Sequence, residues 1–120
     1  MRYMLLIYGC YRPEPDTPEG DARIAEIHAF TQRCVDDGVF LAADPLHTVD
    51  SATTVRVRDG EPLVTDGPFA ETAEQLGGYF ILDCTDLDHA LEYAARCPMA
   101  QDGSVEVRPI LEVRLPGRAG

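Results

Sequence analysis

The sequence predicts an α+β fold, a ferredoxin-like split βαβ sandwich with an inserted β-hairpin. Three observations support this prediction. The elements follow the order β-α-β, hairpin, β-α-β along 120 residues, which is the length of one domain. Two segments carry apolar residues at helical spacing, and a third alternates apolar and polar residues beside an Asp-Gly turn. Residues 1–113 are therefore one predicted domain, and residues 114–120 a C-terminal tail.

The first half of the chain is predicted to form a strand, a long helix and a second strand. Residues 2–8 are a continuous apolar run, typical of a strand covered on both faces. Thr17 is the expected N-cap of the helix, Pro18 its first residue, and Gly38 suits the left-handed position after its end. Residues 39–43 form the second strand. The buried stripe of the helix is predicted to consist of Ile24, Ile27, Thr31, Cys34 and Val35.

The middle of the chain contains the hairpin and then an irregular acidic stretch. Residues 53–58 alternate in polarity, Asp59-Gly60 is a type I′ turn signal, and residues 62–65 form the returning strand. Asp66 opens a tight turn. We expect one or two helical turns over residues 71–76, which a glycine pair then ends.

The second half repeats the pattern of the first. Residues 79–84 form a central strand, residues 85–88 cap a second helix that Pro98 stops, and residues 104–113 form the last strand. The predicted buried stripe of the second helix is Leu87, Ala90, Leu91 and Ala94.

Two helices can cover only one face of the predicted sheet. The strands at residues 4–7 and 79–82 are apolar on both sides, so the second face also needs cover. A homodimer formed through this open sheet face would supply it, and the inserted hairpin could supply part of it.

Composition narrows the possible functions. The net charge is −11, which disfavours binding to nucleic acid or to an anionic membrane surface. All ten basic residues are arginines, so Schiff-base chemistry on a lysine is excluded. Four cysteines without a signal peptide indicate a cytoplasmic protein with buried, reduced thiols. The spacings of histidine and cysteine match no zinc pattern, and there is no phosphate-binding glycine loop, so neither a metal nor a cofactor is expected.

One stretch in the middle of the chain and one near its end carry a family resemblance. They are Asp66-Gly67-Pro68-Phe69-Ala70-Glu71-Thr72, Glu74, Leu76-Gly77-Gly78-Tyr79 and Val105-Glu106-Val107-Arg108-Pro109. These residues resemble the DGPF-type branch of the YCII-related proteins, and the similarity spans about residues 2–113. The resemblance implies a dimeric α/β barrel built from ferredoxin-like protomers. The family usually has lysine after the motif threonine, where this chain has Ala73.

The resemblance implies little about activity, because function is largely unassigned in that family. Some members lie beside extracytoplasmic-function sigma factors, and a few relatives catalyse elimination or isomerisation on small muconate-like acids. A histidine on the first helix is proposed to act in the enzyme-like relatives. His28 is out of register with that position, and we expect it to be a buried, hydrogen-bonded residue instead.

The candidate acid/base residues are His47 and Asp66. His47 lies in a loop after a strand end and would titrate near neutral pH, although a surface loop histidine is the simpler interpretation. Asp66 could transfer protons, or its carboxylate could accept a backbone N–H and fix the turn.

Four further residues are candidates for binding a substrate. Glu106 and Arg108 share one face of the last strand, where Arg108 could hold a carboxylate or form a structural ion pair with Glu106. Glu71 is part of an acidic surface or of a paired site, and Tyr79 could direct its hydroxyl into the same cavity or belong to the core.

Two functions follow as hypotheses. The first is a cofactor-free lyase or isomerase that performs acid/base chemistry on a small acidic metabolite. The alternative is a non-catalytic dimer that binds a small molecule or has a regulatory role, for example in association with a sigma factor.

Overall fold

The computed structural model describes residues 1–9, 14 and 16–117. Cys10 and residues 118–120 of the predicted tail lie outside the described residues. The helices and strands are β1 (Arg2–Gly9), α1 (Pro18–Asp36), β2 (Phe40–Pro45), β3 (Thr53–Arg58), β4 (Glu61–Asp66), β5 (Gln75–Asp83), α2 (Leu87–Arg96) and β6 (Ser104–Pro109).

Four of the strands form one sheet in the order β2-β5-β1-β6, and every neighbouring pair is antiparallel. This order and the two helices are those of a ferredoxin-like α+β fold, which confirms the predicted fold class. Strands β3 and β4 pair only with each other and make a separate two-stranded sheet. The hairpin is therefore an insertion between the two βαβ halves.

The core lies between the helices and one face of the four-stranded sheet. Leu5 and Leu82 are completely buried there, and the rings of Phe30 and Phe80 meet edge to face with centroids 5.2 Å apart. Three free cysteines, Cys34, Cys84 and Cys97, are buried in the same cluster. Burial raises the pKa of the Cys34 thiol to about 11 and also raises the pKa of the other two. The predicted buried thiols are thus present at these three positions.

Local signals in the sequence act as predicted at several element ends. The Thr17 hydroxyl accepts the N–H three residues further on at 3.0 Å, and the Asp86 carboxylate does the same for α2 at 2.9 Å. Asp59 and Gly60 have φ of 53° and 77°, as a type I′ turn requires. Gly38 has φ of 76° just after α1.

The predicted helix stripes are partly wrong. On α1, Phe30 joins Cys34 in the core. Val35 is 48 % exposed, because it follows Cys34 directly and is rotated by about 100° from it around the helix axis. On α2, Tyr93 is buried, whereas Leu87 and Leu91 are exposed. Small alanines in α2 let the helix approach the sheet closely, and Tyr93 fills the space towards α1.

The prediction for His28 is also wrong, because this side chain is exposed. At 100° per residue, position 28 lies on the side of α1 opposite to Phe30, away from the core. Burial at this position would turn the core face of the helix to solvent.

Two predicted boundaries around the acidic stretch and the last strand change. No helix forms over residues 71–76, because β5 already begins at Gln75 and includes the glycine pair. At Gly78 an added Cβ would lie 2.9 Å from the Asp44 carbonyl oxygen, so β2 can pair with β5 this closely only beside a glycine. Strand β6 ends at Pro109 and not at residue 113, and the last backbone bond to β1 comes from the Ile110 N–H at 2.9 Å.

The hairpin Thr53–Asp66, which we call the arm, lies outside the compact body. Its strands contact each other extensively but do not pack along any other described helix or strand. The radius of gyration is 16.5 Å, whereas a compact chain of this length has about 14 Å.

Candidate ligand-binding face

The second face of the four-stranded sheet has no helix on it. In β1 the buried residues alternate with half-buried ones, so Met4 and Leu6 lie on the side opposite to the core. The same alternation places Tyr79 and Ile81 of β5 there. We call this surface the open face. It is lined by Met4, Leu6, Tyr79, Ile81, Glu106 and Arg108.

Register brings three of the predicted site residues to the open face. Tyr79 is opposite Leu6, which is in turn opposite Glu106 across β1. One row further on, Ile81, Met4 and Arg108 align in the same way. Neighbouring strands lie about 4.8 Å apart, so the Cα atoms of Tyr79 and Glu106 are separated by about 10 Å.

The Tyr79 hydroxyl donates a hydrogen bond to Asp44 Oδ2 at 2.7 Å. This bond to an anion raises the pKa of Tyr79 above its ordinary value, since it favours the protonated phenol. Asp44 is opposite Tyr79 in the β2–β5 register. Sequence reasoning missed Asp44 as a site residue, because Asp44-Pro45 reads only as the end of a strand. The cross-strand register that pairs it with Tyr79 is not visible in the sequence.

Glu106 and Arg108 do not form the predicted ion pair. Among the described residues, no carboxylate lies within 4 Å of the Arg108 guanidinium, and no cation lies within that distance of Glu106. Both side chains are exposed. Arg108 is therefore available to a carboxylate that arrives from outside the chain.

His47 lies in the loop directly after β2. It lines a shallow cavity of about 320 Å³ together with Pro45, Leu46 and Thr48. The Leu46 N–H donates to the carbonyl of Gly77 at 2.8 Å, which holds this loop against β5. Within the described part of the chain, no side chain forms a hydrogen bond with the His47 imidazole. The histidine thus follows the edge strand β2, which carries Asp44, and Tyr79 lies on the neighbouring strand β5.

Asp66 is the last residue of β4, opposite Thr53. Its carboxylate forms no hydrogen bond with another described residue, so the expected carboxylate-fixed turn is not what holds this turn. The turn is held by two other bonds, Gly67 N–H to Ala52 O and Thr54 Oγ1 to Gly67 O, both at 2.7 Å. Gly67 has φ of 100°, a conformation that suits glycine.

Glu71 lies in the irregular segment between the arm and β5, and it is exposed. The helix predicted over residues 71–76 does not form, so Glu71 and Glu74 do not share a helical face. Glu74 instead accepts a hydrogen bond from the Ser104 hydroxyl at 2.8 Å and connects this segment to β6.

The predicted site residues therefore fall into two groups. Tyr79, Glu106 and Arg108 share the open face, whereas Asp66 and Glu71 lie at the base of the arm. No hydrogen bond or ion pair joins the two groups among the described residues, and none joins His47 to Asp66.

Comparison with known proteins settles the family. The model of the YCII-related domain matches residues 1–114, nearly the whole chain. The chain belongs to the YCII-related family. An uncharacterized protein of Rhizobium meliloti (strain 1021), R00369, is 39% identical over 114 residues, with 89% of this chain and 92% of that protein covered. The resemblance predicted from the motif is thus confirmed.

In this YCII-related chain the motif is mainly a connection between the arm and the sheet. Phe69 is 77 % exposed, and its backbone carbonyl accepts a hydrogen bond from Arg56 Nη2 at 3.2 Å. The glycine pair of the motif lies inside β5, where it permits the close approach of β2. The motif thus forms the connection between the arm and strand β5 of the four-stranded sheet.

Two kinds of feature are absent from the described residues. The described residues include no group of three or more histidine, cysteine, aspartate or glutamate side chains placed to hold a metal ion. Among the same residues, no helix has the length and apolar character needed to cross a membrane.

Proposed function

We propose that this YCII-related protein forms a homodimer through the open face and binds a small organic anion there, with Arg108 as the anchor. The observation that carries the proposal is an arginine without an ion-pair partner in the described chain, on a face that also carries the apolar side chains of Met4, Leu6 and Ile81. A guanidinium binds a carboxylate bidentately, and the apolar neighbours suit the carbon skeleton of the ligand.

The homodimer is supported by the uncovered second face of the sheet. Met4, Leu6 and Ile81 are only half-buried, while the alternate residues of the same strands form the core. A second copy placed on this face would remove these side chains from water. The free buried thiols of Cys34 and Cys84 suit a reducing compartment, and we propose the cytoplasm.

Calorimetric titration of the protein with cis,cis-muconate and with succinate tests the binding proposal. Charged hydrogen bonds contribute about 1.5–3 kcal/mol, so Arg108→Met should weaken binding by roughly 10- to 150-fold. Arg114→Met is the matched control, because Arg114 is another exposed arginine near the end of the chain. Unchanged affinity in Arg108→Met, or an equal loss in Arg114→Met, would contradict the assigned anchor.

A second candidate function is proton-transfer catalysis, as in a lyase or isomerase acting on such an acid. The hydrogen-bonded Tyr79–Asp44 pair and His47 favour it, because Asp44 lies on the edge strand β2, His47 follows that strand and Tyr79 lies on the neighbouring strand β5. We expect His47→Gln and Asp66→Asn to slow deuterium exchange into the bound acid in D₂O. Binding without exchange in the wild-type protein would instead support a regulatory dimer that performs no chemistry.

A further inference from the structure

Two rows of side chains cross the open face, and their chemistry differs. The register takes one residue from each strand into the first row, which consists of Asp44, Tyr79, Leu6 and Glu106. The second row consists of Ala42, Ile81, Met4 and Arg108. The first row therefore carries oxygen atoms on both sides of a leucine, and the second row carries a guanidinium at one end.

The Tyr79 hydroxyl presents a hydrogen-bond acceptor to the open face. Its single proton is donated to Asp44 Oδ2, which lies 2.7 Å away. A phenol has one O–H donor, and its remaining capacity is to accept. A ligand group that meets this phenolic oxygen must therefore donate a hydrogen bond.

The Glu106 carboxylate presents a second acceptor on the same face. Among the described residues, no cation lies within ion-pair distance of it. An ionised carboxylate only accepts hydrogen bonds. It attracts an ammonium or hydroxyl group and repels a second carboxylate.

Arg108 lies two residues beyond Glu106 in β6, on the same face of the sheet. Two residues of a strand span about 6.6 Å, yet no ion pair joins the two side chains. An anion-binding group and an acceptor thus lie side by side, each without an ion-pair partner in the described chain. An extended four-carbon acid spans about 5 Å from its carboxylate carbon to a group on its fourth carbon, which is close to this spacing.

We propose that the ligand held by Arg108 is a monocarboxylate whose other end carries a hydrogen-bond donor, an ammonium or a hydroxyl group. Its carboxylate binds Arg108, and its donor binds Glu106, with the Tyr79 oxygen as a second acceptor. The carbon chain contacts Leu6 and Met4. This inference rests on the proposed function, and it makes Glu106 the residue that discriminates against a dicarboxylate. A dicarboxylate still uses Arg108, but it binds with lower affinity.

Four acids of equal chain length test this proposal by calorimetric titration at neutral pH. They are 4-aminobutyrate, 4-hydroxybutyrate, butyrate and succinate, which differ only at the fourth carbon. Two unit charges 4 Å apart change an affinity by about fivefold even at the dielectric constant of water. Since an attraction replaces a repulsion, 4-aminobutyrate should bind roughly tenfold tighter than succinate, or more. One added hydrogen bond should make 4-hydroxybutyrate bind roughly 2- to 10-fold tighter than butyrate.

Glu106→Gln separates a role in specificity from a structural role, because it should move two affinities in opposite directions. It should weaken the binding of 4-aminobutyrate by about fivefold and strengthen that of succinate by a similar factor. Glu92→Gln is the matched control, since it removes the same charge from an exposed position on α2. Both affinities should then stay within about twofold of wild type. If Glu106→Gln does not fold, the four acids on the wild-type protein decide the question.

Two results would overturn the inference and leave Arg108 as the anchor of an anion. They are succinate binding as tightly as 4-aminobutyrate, and a fall of both affinities together in folded Glu106→Gln. A different result would contradict the proposed function itself, and this inference with it. That result is a wild-type protein that binds neither muconate nor any of the four acids, or binding that Arg108→Met leaves unchanged.

Discussion

Replacement of Gly78 by alanine should weaken the pairing of β2 with β5. A Cβ at this position would lie 2.9 Å from the Asp44 carbonyl oxygen and 3.2 Å from the Pro45 Cα. Both atoms belong to the backbone, so no side chain can rotate away. Ordinary van der Waals contact begins near 3.4 Å, and β2 would therefore have to move by about half an ångström, which overpacked sites show at a cost of about 1–3 kcal/mol.

The neighbouring glycine supplies the control. An added Cβ at Gly77 would lie 3.9 Å from the Ile7 carbonyl oxygen, which is an ordinary contact. Gly77→Ala should therefore leave the free energy of unfolding within about 0.5 kcal/mol of wild type, or raise it slightly through the lower entropy of the unfolded chain. The two variants differ by one position in the same strand and add the same methyl group.

Urea unfolding followed by circular dichroism measures both free energies. For a domain of this size, a loss of 1–3 kcal/mol corresponds to a fall in Tm of roughly 4–12 °C. The displacement should also lengthen the Tyr79–Asp44 hydrogen bond, so the pKa of Tyr79, followed by its ultraviolet absorbance, should fall in Gly78→Ala. Equal stability of the two alanine variants would show that β2 does not need a glycine at position 78. An unchanged Tyr79 titration would show that the spacing of β2 and β5 does not control the Tyr79–Asp44 hydrogen bond.

Two further predictions concern the core. Phe30→Ala should reduce the free energy of unfolding by about 3–5 kcal/mol, because it removes a buried ring. Val35→Ala, at an exposed position, should change it by about 0.5 kcal/mol or less. Similar losses for the two variants in thermal unfolding would contradict the burial of Phe30 and the exposure of Val35. Tyr93 donates to Asp37 Oδ2 at 2.6 Å, which raises its pKa to about 12. The folded state holds this proton more tightly, so stability should decline as the pH rises from about 10 to 12. Unfolding measured between about pH 10 and 12 should show a smaller decline of stability for Tyr93→Phe.

Local signals along the chain were sufficient to predict the fold. The Thr17 cap, the Asp59-Gly60 turn and Gly38 each depend on residues close in sequence, and each behaves as local chemistry requires. Together with the order of elements they determined the class and the place of the hairpin. The family motif added the identity of the domain.

Local patterns are weaker guides wherever contacts between distant segments decide which residues are buried or paired. Val35 satisfies the helical period as well as Phe30 does, and only the position of the sheet decides which of them is buried. Residues 71–76 have the composition of a helix, yet pairing with β1 draws the end of this stretch into β5.

The candidate site shows the same limit more sharply. Arg108 and Glu106 were found because they share a strand, and strand alternation is a local rule. Asp44 was missed because its role arises only from the pairing of β2 with β5. Asp66 and Glu71 were proposed from their residue types and their place in the motif, but no ion pair joins either of them to Arg108 among the described residues.

The rates at which thiol reagents label the buried Cys34, Cys84 and Cys97 would report how readily the core opens. A thiol reacts with a disulfide reagent only as an accessible thiolate, and burial here opposes both access and ionisation. These three cysteines lie on α1, after β5 and after α2, so they sample the two helices and the central strand at once. A single labelling rate for all three would mean that the helical layer lifts from the sheet as one unit, and separate rates would order its parts by the ease with which each detaches.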